Sequence, residues 1–149
     1  LISLNLPPFE YKLKKAEDKL WIFDIIRKKY VVLQPEEWVR QHFIHYLINQ
    51  ASCPRSLIKV EGGLIFNQLR KRSDIVVFDQ RGKPWMIVEC KSMDVQVNDN
   101  TLFQAATYNK TIQAPYLVVT NGMKHLYAHI DWTLGSTQQL DSIPIFTSS

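Results

Sequence analysis

"RSDIVVFDQRGKPWMIVECKS", Arg72 to Ser92, holds two apolar runs interrupted by acids and a lysine where a buried sheet is ordinarily greasy. The "QRGKP" between the runs is a turn signal, so the stretch reads as an antiparallel hairpin. Side chains alternate faces along a strand, which sends Trp85, Ile87, Glu89 and Lys91 one way and Met86, Val88 and Cys90 the other. The Glu89 and Lys91 α-carbons then stand about 7 Å apart, at ~3.3 Å of rise per residue. Counting inward from the turn sets Ser73 or Asp74 opposite Glu89 to Cys90, so two carboxylates converge at the end of the hairpin.

Outward from this hairpin, "LIKVE" precedes it as a third short strand. "QPEEWVRQHFIHYLINQ" is expected to be helical, because Pro35 suits the first turn, Glu36 and Glu37 favour the positive end of the dipole, and Val39, Phe43, Tyr46 and Leu47 share a face. "NTLFQAATYNKTIQ" predicts a second helix opened by Asn100 or Thr101, followed by a buried strand "APYLVVTNG" and a last strand "KHLYAHID". Residues 11 to 33 alternate apolar and charged positions around a turn at Glu17 and Asp18, which predicts a β-hairpin with a basic tip "RKKY". The order is that of an α/β protein: a mixed β-sheet flanked by helices, with an amino-terminal hairpin extension over 1–33, a core over 34–131 and an irregular tail over 132–149, all in one domain.

Composition agrees with one domain: 149 residues, 46% hydrophobic and 21% charged, are enough to bury a real core. Runs such as "IVVF" and "YLVV" fall far short of the ~20 residues needed to cross a bilayer. No charged-then-greasy leader opens the chain, so a cytoplasmic protein without membrane association is expected. Cys53 and Cys90 are the two cysteines, which fits packed, reduced thiols better than a disulfide framework. The net charge of +4 permits an anionic partner without demanding one.

Hard divalent cations prefer carboxylate and carbonyl oxygens, so Asp74, Glu89 and the carbonyl of Cys90 would make an incomplete shell for Mg²⁺, or alternatively Mn²⁺, with positions left for water and phosphate. Lys91 would orient that water or stabilise a pentavalent transition state. The plainer reading makes Asp74 a strand cap and Glu89–Lys91 a surface ion pair, and on spacing alone it is the better bet. "LRKR" before Asp74, with Arg40, Arg55 and Lys59, offers cations for backbone phosphates, or simply a solvated loop. His42, His45, His125 and His129 with Cys53 match no zinc-ligand spacing.

Beyond spacing, an Asp opening one strand and "Glu-Cys-Lys" ending the next resembles the Pro-Asp…(Asp/Glu)-X-Lys, or PD-(D/E)XK, nuclease superfamily. "PEEWVRQ", "KRSDIVVF", "IVECKS", "QAATYN" and "YLVVTNG", in that order over residues 31 to 127, are together similar to the amino-terminal domain of type I restriction enzyme R subunits. The resemblance implies a restriction-endonuclease-like fold and a Mg²⁺-dependent DNA endonuclease. It implies metal ligation by Asp74 and Glu89 and a catalytic lysine in Lys91. A further acid on the first helix often completes such sites; Glu36 and Glu37 are both candidates, and Glu37 is chosen. Gln104 and Tyr108, four apart on one helical face, match a Gln-X-X-X-Tyr element that orients the site or contacts DNA, as Arg72 would from the basic run. Ser73 stands where the superfamily motif often has Pro. The implied partners are DNA and a separate translocase or restriction-modification subunit; with no Walker-type loop in these residues, any motor is expected on another chain or on an absent segment. A catalytically weak or inactive nucleic-acid-binding or assembly module on the same fold is the competing expectation.

Overall fold

The structure is a computed structural model that describes residues 1–60 and 74–147. The amino-terminal extension is a three-stranded antiparallel sheet, β1 (Leu13–Ala16), β2 (Lys19–Asp24) and β3 (Lys29–Val32). Glu17 and Asp18 both have positive φ, 56° and 58°, the backbone of a two-residue hairpin turn whose twist matches its strands. The expected hairpin is therefore present, and the chain beyond its basic tip adds a third strand.

Helix α1 (Pro35–Asn49) follows, then a 3-10 turn at Arg55–Leu57 and β4 (Ile58–Val60), β5 (Ile75–Phe78), β6 (Pro84–Cys90), α2 (Asp99–Tyr108), β7 (Tyr116–Thr120), β8 (His125–Asp131) and β9 (Ser136–Leu140). These strands form one sheet in sequence order, antiparallel throughout except for the parallel pair β6 and β7 that α2 connects. The fold is a mixed α/β sheet with a helix on each face. Period-two alternation explains the two layers. Ile75, Val77, Met86, Val88 and Cys90 pack with Val39, Phe43, Ile44 and Leu47 of α1. Val76, Ile87, Leu117 and Val119 pack with Leu102 and Ala105 of α2. Ile22 of β2 joins the α1 layer, so the extension is built onto the core.

Three sequence expectations need correction. Trp85 packs in the α1 layer with Met86, not with Ile87, because the β5–β6 register shifts between Val77 and Phe78 and breaks the alternation there. Helix α2 starts earlier and stops sooner: Asn98 is its N-cap in a reciprocal capping box with Thr101, and Asn109 ends it. The expected irregular tail contains β9, which lengthens the sheet by pairing with β8.

Candidate functional site

The β5–β6 hairpin positions the first two acids. Ile75 pairs with Val88, so Asp74, one residue before the strand, comes level with Glu89. Asp74 Oδ2 accepts the Cys90 backbone N–H at 2.7 Å, which fixes the carboxylate against the end of β6. Glu89 continues the alternation of Ile87 toward the α2 side, and Lys91 Nζ lies 3.2 Å from Glu89 Oε1. Lys91 is itself anchored by its N–H to the Thr120 carbonyl of β7 at 2.8 Å. Asp74, Glu89, Cys90 and Lys91 thus gather at one end of the central strands. Cys90 contributes backbone there; its side chain is buried as a free thiol, and burial pushes its pKa well up.

Helix α1 brings a second group of charges. Arg40 is buried, donating from Nη1 to Glu37 Oε1 at 2.8 Å and from Nη2 to Asp74 Oδ1 at 2.8 Å. Hydrogen bonding to Asp74 and the two carboxylates around it raise its pKa further, against the pull of burial. Glu37, also buried, accepts in addition from Gln41 Nε2 at 2.9 Å and Arg27 Nη2 at 3.0 Å. Glu36 is half exposed, 3.8 Å from Arg40 Nη2. Glu37 rather than Glu36 is the enclosed acid, and it communicates with Asp74 through Arg40.

The β2–β3 turn closes the network. Asp24 is fully buried, accepting from the Ile26 and Arg27 backbone N–H groups, from Arg27 Nε at 2.7 Å and from Gln41 Nε2 at 2.9 Å. Burial alone would raise its pKa, but these donors outweigh burial and hold it below the ordinary carboxylate value. Arg27, from the basic tip, therefore bridges Asp24 and Glu37. Arg40, expected among phosphate-facing cations, is instead an internal partner of carboxylates. Asp24, Arg27 and Gln41 were missed by sequence reasoning. An Asp between "WIF" and "II" was the one available signal.

Gln104 and Tyr108 occupy the exposed side of α2, over the sheet face toward which Glu89 points. Arg72, Ser73 and the "LRKR" run lie outside the described residues. Among the described residues no three His, Cys, Asp or Glu side chains assemble as a metal-holding group. By register the carboxylates at this end of the hairpin are Asp74, held from the α1 side by Arg40, and Glu89, paired with Lys91. Asp74 Oδ1 accepts from Arg40 and Oδ2 from the Cys90 N–H, and a carboxylate oxygen has two lone pairs, which suits an oxygen that also faces a cation. Two hard oxygen donors with room for water fit Mg²⁺ better than a soft metal. Among the described residues no helix is long and apolar enough to cross a membrane.

Fold and site together define a mixed α/β domain that presents an acid pair and a lysine where its central hairpin ends. Residues 35–144 match the family described as type I restriction enzyme R protein N terminus, and the chain belongs to that family. A solved fragment described as "a putative HsdR subunit of a type I restriction enzyme from Vibrio vulnificus YJ016" is 26% identical and covers 59% of this chain, with a TM-score of 0.39. This chain spans 16% of that one. No curated protein matches.

Proposed function

We propose that the chain is a Mg²⁺-dependent DNA endonuclease module of the PD-(D/E)XK superfamily, working within a type I restriction system. The observation that carries this is the clamp of Asp74 onto the Cys90 N–H, level with Glu89 and its partner Lys91. Asp74, Glu89 and the Cys90 carbonyl would hold the cation, which when bound polarises a phosphodiester and lowers the pKa of its water. The chain's own residues do the rest. Lys91 brings a positive charge to the place where charge develops on phosphate, and Glu89 keeps that ammonium in position. Arg40 neutralises part of the Asp74 charge and, with Glu37, fixes its rotamer. Gln104 and Tyr108 would meet DNA from α2. A translocase would be supplied by another chain or by a further segment of the same protein.

The test combines metal binding with cleavage. Terbium luminescence should report a site in the wild type that Asp74→Asn and Glu89→Ala lose. Supercoiled plasmid and single-stranded circles should be cut in Mg²⁺ or Mn²⁺ by wild type, and at least 10²-fold more slowly by Glu89→Ala and Lys91→Ala, the order of effect of removing one electrostatic catalyst. Metal binding without cleavage of any duplex, single-stranded or modified DNA would leave the second reading, an inactive binding or assembly module. That reading is favoured by the guanidinium already seated on Asp74.

A further inference from the structure

A second basic feature lies beside the acid cluster, on the other side of Arg27. The β2–β3 turn and the segment running from the 3-10 turn into β4 enclose a cleft of about 670 Å³. Its lining includes Arg27, Lys28, Arg55, Ser56 and Lys59, and among the described residues no carboxylate. Arg27 is committed to Asp24 and Glu37. Lys28 on the turn side and Arg55 and Lys59 on the β4 side are exposed, and their charges add across the cleft.

The backbone fixes these cations in order. Arg55 opens a 3-10 turn that the Leu57 N–H to Pro54 carbonyl bond closes at 3.0 Å. Lys59 projects outward because Ile58 and Val60 on either side are buried. Lys28 sits in the left-handed region, φ 57°, its N–H bonded to the Asp24 carbonyl at 2.8 Å. The row has a direction. Val60 pairs with Ile75, so β4 carries the cleft toward the level of Asp74. Lys59 lies two residue levels from Asp74, about 7 Å along the strand at ~3.3 Å per residue, and one strand spacing of about 4.8 Å across.

We infer that this cleft, between the amino-terminal sheet and β4, is a docking track for the phosphate backbone of DNA, leading one strand to the Asp74–Glu89–Lys91 end of the sheet. The inference rests on the nuclease reading for its choice of DNA. Cations spread over both sides and along the length of a cleft suit a chain of phosphates better than a single compact anion. Lys28 gives the amino-terminal sheet a share in substrate binding, and Arg27 ties that share to the acid cluster.

The test is fluorescence anisotropy of a labelled 20-mer DNA with the full chain in EDTA, so that binding is read without cleavage. Each cation that meets a phosphate contributes about 0.9 to the slope of log affinity against log salt. Arg55→Gln/Lys59→Gln should therefore flatten that slope by about 2 and weaken binding several-fold at low salt. Lys15→Gln/Lys83→Gln, an equal charge change outside the cleft lining, should leave the slope unaltered. Circular dichroism of all variants should match wild type. An unchanged slope in the cleft variant, an equal loss in the control pair, or tighter capture of RNA of the same sequence would overturn the inference. Plasmid cleavage measured in parallel separates the two claims: a wild type that fails to cut but binds through Arg55 and Lys59 refutes the nuclease and retains the track.

Discussion

Arg40→Met tests the network where it is most enclosed. The guanidinium is 4% exposed and shared between Glu37 and Asp74 at 2.8 Å each. Methionine replaces the arginine stem as far as Nε with a flexible apolar chain, so the change chiefly removes charge and donors. Removing one partner of a buried ion pair costs about 3–5 kcal/mol, because the acid left behind has lost its compensation. Here both acids keep other donors: Arg27 and Gln41 for Glu37, the Cys90 N–H for Asp74. The expected loss is therefore near the lower end, about 3 kcal/mol. In a chain of this size that lowers Tm by roughly 6–12 °C, at about 2–4 °C per kcal/mol. Urea unfolding at pH 7 measures it directly. Arg40→Met/Asp74→Asn should recover part of the loss, since the stranded charge is gone, and the non-additivity is the signature of direct coupling. A single-variant loss below about 1 kcal/mol, the scale of exposed pairs, would refute the account of Arg40 as an internal counter-ion.

Two further outcomes follow from the local structure. Both ring nitrogens of His42 are buried without a hydrogen-bond partner among the described residues, beside Phe9 and Trp38, and burial, reinforced by nearby His45, depresses its pKa to about 4. The folded state then holds His42 neutral while the unfolded chain protonates at about 6.5, so stability falls as pH drops from about 6.5 toward 4. The His42 share of that loss at pH 5 is about 2 kcal/mol; His42→Phe should remove it, leaving the smaller slopes from His45 and His125, and urea titrations that run parallel for both proteins would contradict it. Asn98→Ala breaks the capping box of α2 and should cost about 0.5–2 kcal/mol, with faster amide exchange confined to the first turn of that helix; uniform acceleration across the sheet would argue against a local cap.

How much of this was legible depends on the range of each interaction. The β5–β6 hairpin was readable because strand alternation and a turn of known length fix register, and Asp74 does come level with Glu89. Trp85 escaped because one bulge undoes the count. Strand β9, "STQQL", carries almost no apolar signal and is exposed along most of its length, so alternation could not reveal it. Glu37 could be nominated from the first turn of α1, yet its partner Arg27 lies 10 residues upstream and Asp24 lies 17 residues from Gln41. Such pairings come from packing the extension against α1, which periodicity within either segment does not encode.

The charge arithmetic of the buried network bears on why acids persist there. Asp24, Glu37 and Asp74 are three enclosed carboxylates held by two guanidinium groups, Arg27 and Arg40, while Glu89 is matched by Lys91. Among the described residues that leaves one net negative charge in a poorly solvated region, with half-exposed Glu36 adding another at its rim. An apolar replacement of the set would avoid the desolvation cost, so stability alone gives no reason to retain it. A fixed deficit of positive charge, opening to solvent on the side of Asp74 and Glu89, is instead what a divalent cation or an incoming cationic group would satisfy. The arginines hold the acids in place and prevent the excess from being larger, and neither cancels it. Rigidity of the acids and incompleteness of their neutralisation are therefore produced by the same residues, and the amino-terminal sheet, through Arg27, is part of that arrangement.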